Sequence, residues 1–374
     1  MIINRTLQPE IESKLSANKA ILIMGARQTG KTTLIKSVCK SREDVLWLNG
    51  DEPDVRSLMD NITSTRLKAI IGNKNIVVID EAQRINNIGL AIKLIIDQIP
   101  HVRVIASGSS SFELANRVNE PLTGRKWEYK LFPLSFGEMA AENGLLEEKR
   151  LLPHRLVFGS YPEIVTNPGA EKELLLQLTD SYLYRDVLTL EQIKKPDKLV
   201  QLMQALAYQA GSQVSYAEVG QKCGLDSKTV EKYIILMEQA YVLFRLSSFS
   251  RNLRNELTTS RKVYFVDNGI RNALIANFSH VENRADTGAL WENYLVSERV
   301  KYLRNNGLSA NHWFWRTRQQ QEIDYLEESE GALKAYEFKW NPYAKVKFPK
   351  TFASAYPDAA FQTVHRDNVE EFLI

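Results

Sequence analysis

An α/β fold built on a parallel sheet is predicted for the N-terminal third of this 374-residue chain, with helical and mixed α/β modules behind it. Three observations predict it. Short apolar runs near the N-terminus are continuous rather than alternating, as in strands buried on both faces. Helical patterns separate those runs. The composition, 44% hydrophobic and 25% charged, is that of an ordinary globular chain and excludes disorder. At roughly 150 residues per domain the length predicts two to three domains.

The first strand is Ala20-Ile21-Leu22-Ile23-Met24, followed by Val45–Leu48, Ile76–Ile79 and Val102–Ala106. Trp127–Leu131 is a weaker strand expected to close the sheet. Between the third and fourth runs, IGLAIKLIIDQI places Leu90, Ala91, Leu94, Ile95 and Ile99 on one helical face. Residues 138–195 read as mainly helical, punctuated by Gly159-Ser160-Tyr161-Pro162 and Asn167-Pro168-Gly169. Pro196-Asp197 marks a boundary. Residues 197–285 then give three helices (KLVQLMQALAYQA, SYAEVGQKC, SKTVEKYIILMEQA) and two strands (YVLFRLSSF, KVYFVD). Ser215 and Ser227 are natural N-caps, and Glu218 completes a capping-box spacing with Ser215. Residues 286–374 open on a helix, GALWENYLVSERVKYLRN, and continue as a strand–turn–strand unit ending in LKAYEFKW.

Several classes are excluded early. No run approaches the 18 or so apolar residues of a membrane span, and the start lacks the basic and apolar regions of a secretory signal. Cys39 and Cys223 build neither a disulfide framework nor a zinc cluster. The five histidines show no HxxxH or HExxH pair. A cytoplasmic, metal-cluster-free protein is expected. With 48 basic against 45 acidic residues, any nucleic-acid surface must be local.

Gly25-Ala26-Arg27-Gln28-Thr29-Gly30-Lys31-Thr32 fits G-x-x-x-x-G-K-[ST], a match expected by chance in about 1 in 100 chains this long. It follows a buried strand and opens a helix with Thr33, as the motif requires. Gly25 and Gly30 permit backbone geometry that a Cβ would block. Successive N–H groups at a helix N-terminus then face phosphates. Lys31 supplies a cation near the β- and γ-phosphates and Thr32 a hydroxyl to Mg²⁺. Gln28, Thr29 and Gly30 complete the candidate nucleotide-binding set. About 45 residues on, Ile76-Val77-Val78-Ile79-Asp80-Glu81 is the expected partner. Asp80 would hold Mg²⁺ and Glu81 would orient or deprotonate the attacking water. Ser107, with Ser109 second, is the candidate γ-phosphate sensor at the next strand's end.

The order GARQTGKTTL, VVIDEAQR, ASGSSSFEL, LTGR, LFPLSFGE resembles an AAA+-type P-loop ATPase. It resembles in particular a prokaryotic family that couples such an ATPase to a C-terminal domain of unknown function. GSYPEIV, the RDV of Tyr184-Arg185-Asp186-Val187 and RKVYFVDNGIRNAL carry the likeness across nearly the whole chain. The resemblance implies ATP and Mg²⁺ as ligands. It places arginine at Arg125, a candidate for transition-state charge in cis or on a neighbouring subunit of a homo-oligomer, with Arg185 second.

Three helices followed by two strands match a winged helix-turn-helix, whose third helix would present Ser227, Lys228, Thr229 and Lys232 to a DNA groove. Residues 245–271 hold six basic side chains against Glu256 and Asp267, a local +4 suited to phosphate contact. Further on, Asp324 ends a predicted strand, and Glu337-Phe338-Lys339 follows after 12 intervening residues. That resembles the PD-(D/E)xK nuclease core, although Ile323 replaces its proline. The resemblance implies a metal at Asp324 and Glu337, with Glu292 and Lys339 beside it. Lys345, Lys347 and Lys350 add a basic edge. The expected organisation is an ATPase core over 1–137, a helical lid over 138–196, a winged helix over 197–285 and a restriction-endonuclease-like α/β module over 286–374. An ATPase acting on or with DNA is the reading. The alternative is a nucleotide-gated switch or scaffold with protein partners and an inactive nuclease fold.

Overall fold

The computed structural model describes residues 2–109, 122–180, 195–250, 260–317 and 319–374. They divide into two compact units, Ile2–Pro133 with Gln239–Tyr241, and Leu134–Glu238 with Val242–Ile374.

The first unit carries helices α1 (Gln8–Lys14), α2 (Lys31–Val38), α3 (Pro53–Met59), α4 (Ser64–Ile71) and α5 (Ile88–Gln98) around strands β1 (Ala20–Met24), β2 (Val45–Asn49), β3 (Ile76–Asp80), β4 (Arg103–Gly108) and β5 (Lys126–Lys130). The sheet runs β2-β3-β4-β1-β5, with every pairing parallel. All five β1 residues are buried, which explains the continuous apolar run. Ile21, Ile23, Leu34, Ile35, Ile76, Val78 and Ile105 form one core cluster. Each such aliphatic side chain contributes about 1.5–3 kcal/mol by leaving water. In a parallel sheet the carboxyl ends of the strands share one edge, where ligands of open α/β sheets sit. Met24, Asp80 and Gly108 end their strands there.

One predicted face was misaligned. The buried side of α5 is Ile88, Ala91, Ile92, Ile95 and Ile96, while Leu90 is 49% exposed. The helix is apolar on most of its circumference, so periodicity alone does not select the inward stripe.

The second unit opens with α6 (Phe136–Asn143), α7 (Leu145–Arg150), α8 (Leu152–Phe158), α9 (Pro162–Thr166) and α10 (Glu171–Leu178). Then come α11 (Pro196–Tyr208), α12 (Tyr216–Cys223), α13 (Ser227–Gln239) and the antiparallel pair β6 (Leu243–Ser247) and β7 (Arg261–Phe265). Ser215 caps α12 as expected, accepting from the Glu218 amide. The cap of α13 is Asp226 rather than Ser227. Its carboxylate accepts from the Lys228 and Thr229 amides, both at 3.0 Å. Helices α14 (Asn268–Leu274) and α15 (Thr287–Asn305) lead to β8 (Asn311–Arg316), β9 (Glu322–Ser329), β10 (Ala332–Phe338), α16 (Lys350–Ala355), β11 (Ala360–Val364) and α17 (Glu370–Leu373).

The last sheet is larger than the strand–turn–strand unit expected, with order β11-β10-β9-β8. It is mixed, because β11 joins β10 in parallel. Strand β9 pairs antiparallel with β10 on one side and β8 on the other, and Asp324 lies near its start, not at a strand's end. Trp291, Tyr264, Phe314, Tyr325, Phe338 and Phe372 make the aromatic centre of the core. Arg155 and Glu148 form a buried ion pair: Arg155 Nε lies 2.7 Å from Glu148, whose side chain is fully inaccessible.

Candidate functional site

The phosphate-type loop leaves β1 at Gly25 and enters α2 at Lys31. Gly25 is required by close approach: a Cβ there would stand 2.1 Å from the Leu131 carbonyl oxygen. Gly30 caps α2 with φ 91°, a left-handed conformation that favours glycine. Gln28 also takes positive φ, at 60°. Thr29 is buried and its hydroxyl closes the loop on the Ala26 carbonyl at 2.8 Å. The Lys31 ammonium lies inside the loop, donating to the Gly25 and Ala26 carbonyls at 2.9 and 2.8 Å. Thr33 faces solvent on α2.

The partner motif arrives from β3. Thr32 Oγ1 donates to Asp80 Oδ2 at 2.7 Å, so the hydroxyl and the carboxylate chosen for Mg²⁺ share one locus. Ser107, fully buried on β4, donates its hydroxyl to the other Asp80 oxygen. Glu81 turns out of the strand with φ 49° and opens a short 3₁₀ turn, Ala82–Arg84. Its carboxylate accepts from Gln83 Nε2 at 2.6 Å, and Gln83 also reaches Ser109 Oγ at 3.1 Å. The donor set fits a Mg²⁺–triphosphate: a glycine-permitted loop at a helix N-terminus, one internal cation, and a hydroxyl and carboxylate in contact.

Two contributors were not found from sequence. Arg5 braces the loop from the N-terminal segment, donating to Thr29 O at 2.9 Å and Phe132 O at 2.6 Å; a lone arginine far from any motif carries no signal. Gln83 sits inside the quoted DEAQR run, but only its burial and its two bonds single it out.

Arg125 is placed elsewhere. Its carbonyl accepts from Ala20 N at the entry of β1, the opposite end of that strand from Gly25. Its side chain pairs with Asp97 at 2.9 Å. It does not join the loop of its own chain. Arg185 lies outside the described residues.

The predicted carboxylates do converge in the second unit. Asp324 and Glu337 sit on paired strands, one step beyond the Tyr336–Tyr325 register, and Asp324 Oδ2 accepts from Phe338 N at 2.8 Å. Lys339 Nζ is 3.0 Å from Glu337 and 4.0 Å from Asp324. Burial, then Asp324, pushes the Glu337 carboxyl up to about 7 against the pull of Lys339. Glu292, from α15, is also pushed up to about 7 by burial, with Lys262 opposing and Asp324 adding. It accepts from Lys262 at 2.8 Å and from the Tyr264 hydroxyl at 2.6 Å. Lys262 also meets Glu322 at 2.5 Å. Burial alone would lower the Lys262 ammonium, but Glu292, Glu322 and Asp324 together hold its pKa above the usual lysine range. Among the described residues, no group of three or more His, Cys, Asp or Glu side chains is arranged to hold a metal ion.

The basic run over 245–271 is spent largely inside the fold. Arg245 pairs with Glu238 at 2.6 Å, Arg261 with Glu231 at 3.2 Å, and Arg271 with Asp286 at 2.7 Å. Lys262 and Arg271 are buried. Arg251 and Arg254 lie outside the described residues. On α13, Ser227, Lys228 and Lys232 are exposed and Thr229 is half-buried.

An AAA domain family model matches residues 17–140. Two models described as domains of unknown function, DUF8612 and DUF4143, match residues 149–281 and 287–371. An uncharacterized protein of Mycobacterium tuberculosis is 25% identical over 347 residues, covering 91% of this chain and 74% of that protein. One of Methanocaldococcus jannaschii is 24% identical over 348 residues, covering 87% and 75%. Among solved structures, a Walker-type ATPase of Pyrococcus abyssi matches with TM-score 0.53 and 13% identity, over 73% of this chain and 96% of that one. The chain therefore carries an AAA-type P-loop ATPase fold, followed by helices and a separate mixed sheet. Among the described residues, no helix is long and apolar enough to cross a membrane.

Proposed function

We propose that this chain binds and hydrolyses ATP with Mg²⁺, and that its nucleotide state governs how the second unit engages DNA. The observation that carries the reading is the convergence of Lys31, Thr32, Asp80, Glu81 and Ser107 at the carboxyl edge of one parallel sheet. Loop amides and Lys31 bind and orient the phosphates. Thr32 and Asp80 would hold Mg²⁺, which when bound supplies neutralisation of phosphate charge. Ser107 fixes Asp80. Glu81 takes a proton from the attacking water while Gln83 sets the angle of its carboxylate. The structurally similar P. abyssi protein is a Walker-type ATPase.

On this reading residues 1–137 are the ATPase core, 138–196 a lid, 197–285 a winged helix and 286–374 a nuclease-like module. The α12–turn–α13 segment, with Lys228 and Lys232 exposed, supports DNA contact. Asp324 and Glu337 would hold the corresponding divalent metal, with Glu292 and Lys339 beside it. A role for Arg125 at nucleotide would be in trans, on a neighbouring subunit of a homo-oligomer; its place at the other end of β1 from the loop supports that over a role in cis. Two buried free cysteines suit a cytoplasmic setting.

A second reading, the nucleotide-gated switch with an inactive nuclease fold, is favoured by one specific observation: Glu292 is already occupied by Lys262. ATP turnover measured with and without DNA tests both. Stimulation by DNA supports the first reading. Turnover indifferent to DNA supports the second. No Mg²⁺-dependent turnover overturns the enzyme.

A further inference from the structure

We propose that the segment Tyr343–Lys350 is a contact strip for single-stranded DNA, its lysines facing phosphates and Tyr343 stacking on a base. This rests on the DNA-acting reading and adds where, and in which form, the DNA lies. Between Lys339 and Asp358 the chain contains Lys345, Lys347 and Lys350 and no acidic residue. Exposure alternates along the segment. Tyr343, Lys345 and Lys347 face outward, and Ala344, Val346 and Phe348 are half-buried. That is the pattern of an extended chain resting on one face. Phe348 anchors it against Phe361, ring centroids 4.7 Å apart. Side chains two residues apart on such a chain stand at most about 7 Å apart, so the two lysines form a short row rather than a cluster.

The turn before the row is fixed by Asn341, whose carbonyl accepts from Ala344 N at 3.1 Å and whose side chain accepts from Tyr343 N at 3.0 Å. It holds the Tyr343 side chain in solvent, 87% exposed. A single exposed aromatic needs no explanation by itself. Here it heads a row of cations, and alternating charge and aromatic surface is how proteins grip unpaired strands. A duplex offers no free base face to such a ring, which selects the single-stranded form.

The contrast with β6 and β7 strengthens the assignment. Arg245, Arg261, Lys262 and Arg271 are all committed to carboxylates. Lys345, Lys347 and Lys350 are exposed and take part in no ion pair among the described residues, so they remain available to displace counterions from phosphates. The strip begins where β10 delivers Lys339 and Glu337, 3.0 Å apart. A strand bound along it therefore passes the Asp324–Glu337 pair.

The test is binding of a fluorescent oligothymidylate, and of a duplex of equal length, to the full chain across a salt titration. The wild type is expected to prefer the single strand. The triple variant K345Q/K347Q/K350Q is expected to lower the log–log salt slope by about 2, from about 0.7 per phosphate contact. Tyr343→Ala is expected to weaken binding about tenfold with the slope unchanged, and Tyr343→Phe to retain affinity. All four positions are surface positions, and unchanged thermal unfolding checks that the fold is intact. Wild-type affinity and slope in the triple variant, or a wild-type preference for duplex, overturns the strip and leaves DNA binding elsewhere standing. No binding of either DNA at low salt overturns the strip and the DNA-acting reading together.

Discussion

Replacing Lys262 by methionine isolates the chemistry at the junction of β7, α15 and β9. The methionine keeps the apolar stem and removes the ammonium. Lys262 is 2% exposed, 2.8 Å from Glu292 and 2.5 Å from Glu322. Removing one partner of a buried pair costs about 3–5 kcal/mol, because the other charge is left uncompensated. Glu322 retains Arg316 at 3.4 Å and is partly solvated, so Glu292 bears most of that cost. Burial already pushes its carboxyl up to about 7 from the ordinary 4.5, against the pull of Lys262. A carboxyl raised on folding adds stability that is complete below its unfolded pKa and is lost as pH rises through its folded pKa. Without Lys262 the Glu292 pKa rises further, so the variant loses most at pH 8 and least at pH 5. A loss of about 3 kcal/mol at pH 8 corresponds to a Tm lower by about 6–12 °C for a unit of this size. The assay is thermal unfolding of wild type and variant at both pH values. Equal Tm at pH 8, or a larger deficit at pH 5, would refute the reasoning.

Three further outcomes are expected. Glu81→Gln should lower kcat by about 10²–10⁴ while leaving ATP binding in place; steady-state turnover beside equilibrium binding checks it, and an unchanged kcat removes Glu81 from the chemistry. Gly25→Ala drives a Cβ to 2.1 Å from the Leu131 carbonyl, so it should shift the loop and abolish ATP binding, as read by titration with a fluorescent nucleotide. Arg155→Ala removes the ion-pair partner of Glu148, which has no accessible surface, and should cost about 3–5 kcal/mol in urea unfolding, whereas a loss under 1 kcal/mol would show that Glu148 is not held by that pair.

The parts legible in the sequence are those whose physics is local. β1 reads as buried because all five residues are apolar, and the loop reads as a phosphate cradle because each glycine answers a backbone need that side chains would block. Asp80 follows from four aliphatic residues ahead of an Asp-Glu step, about 45 residues beyond the loop. What escaped depends on partners distant in sequence. The positive run at 245–271 is visible as composition, but Glu231, Glu238, Glu292 and Glu322, which neutralise Arg245, Arg261 and Lys262, come from α13, α15 and β9. Strand β11 was missed because Ala360–Val364 is short and buries only Val364 fully, with Phe361 37% accessible. Asp324 was read as a strand's end within one long run, HWFWRTRQQQEIDYLEE, but that run is two strands: β8 stops at Arg316, and Asp324 lies near the start of β9, which runs on to Ser329.

The central claim is that Lys31, seated among the carbonyls of Gly25 and Ala26 beside the Thr32–Asp80 contact, serves a bound triphosphate. Mg²⁺-dependent ATP turnover by the Lys31→Ala variant tests it most directly. The expected result is turnover in the wild type and none above background in the variant; a variant that hydrolyses ATP at the wild-type rate contradicts the account.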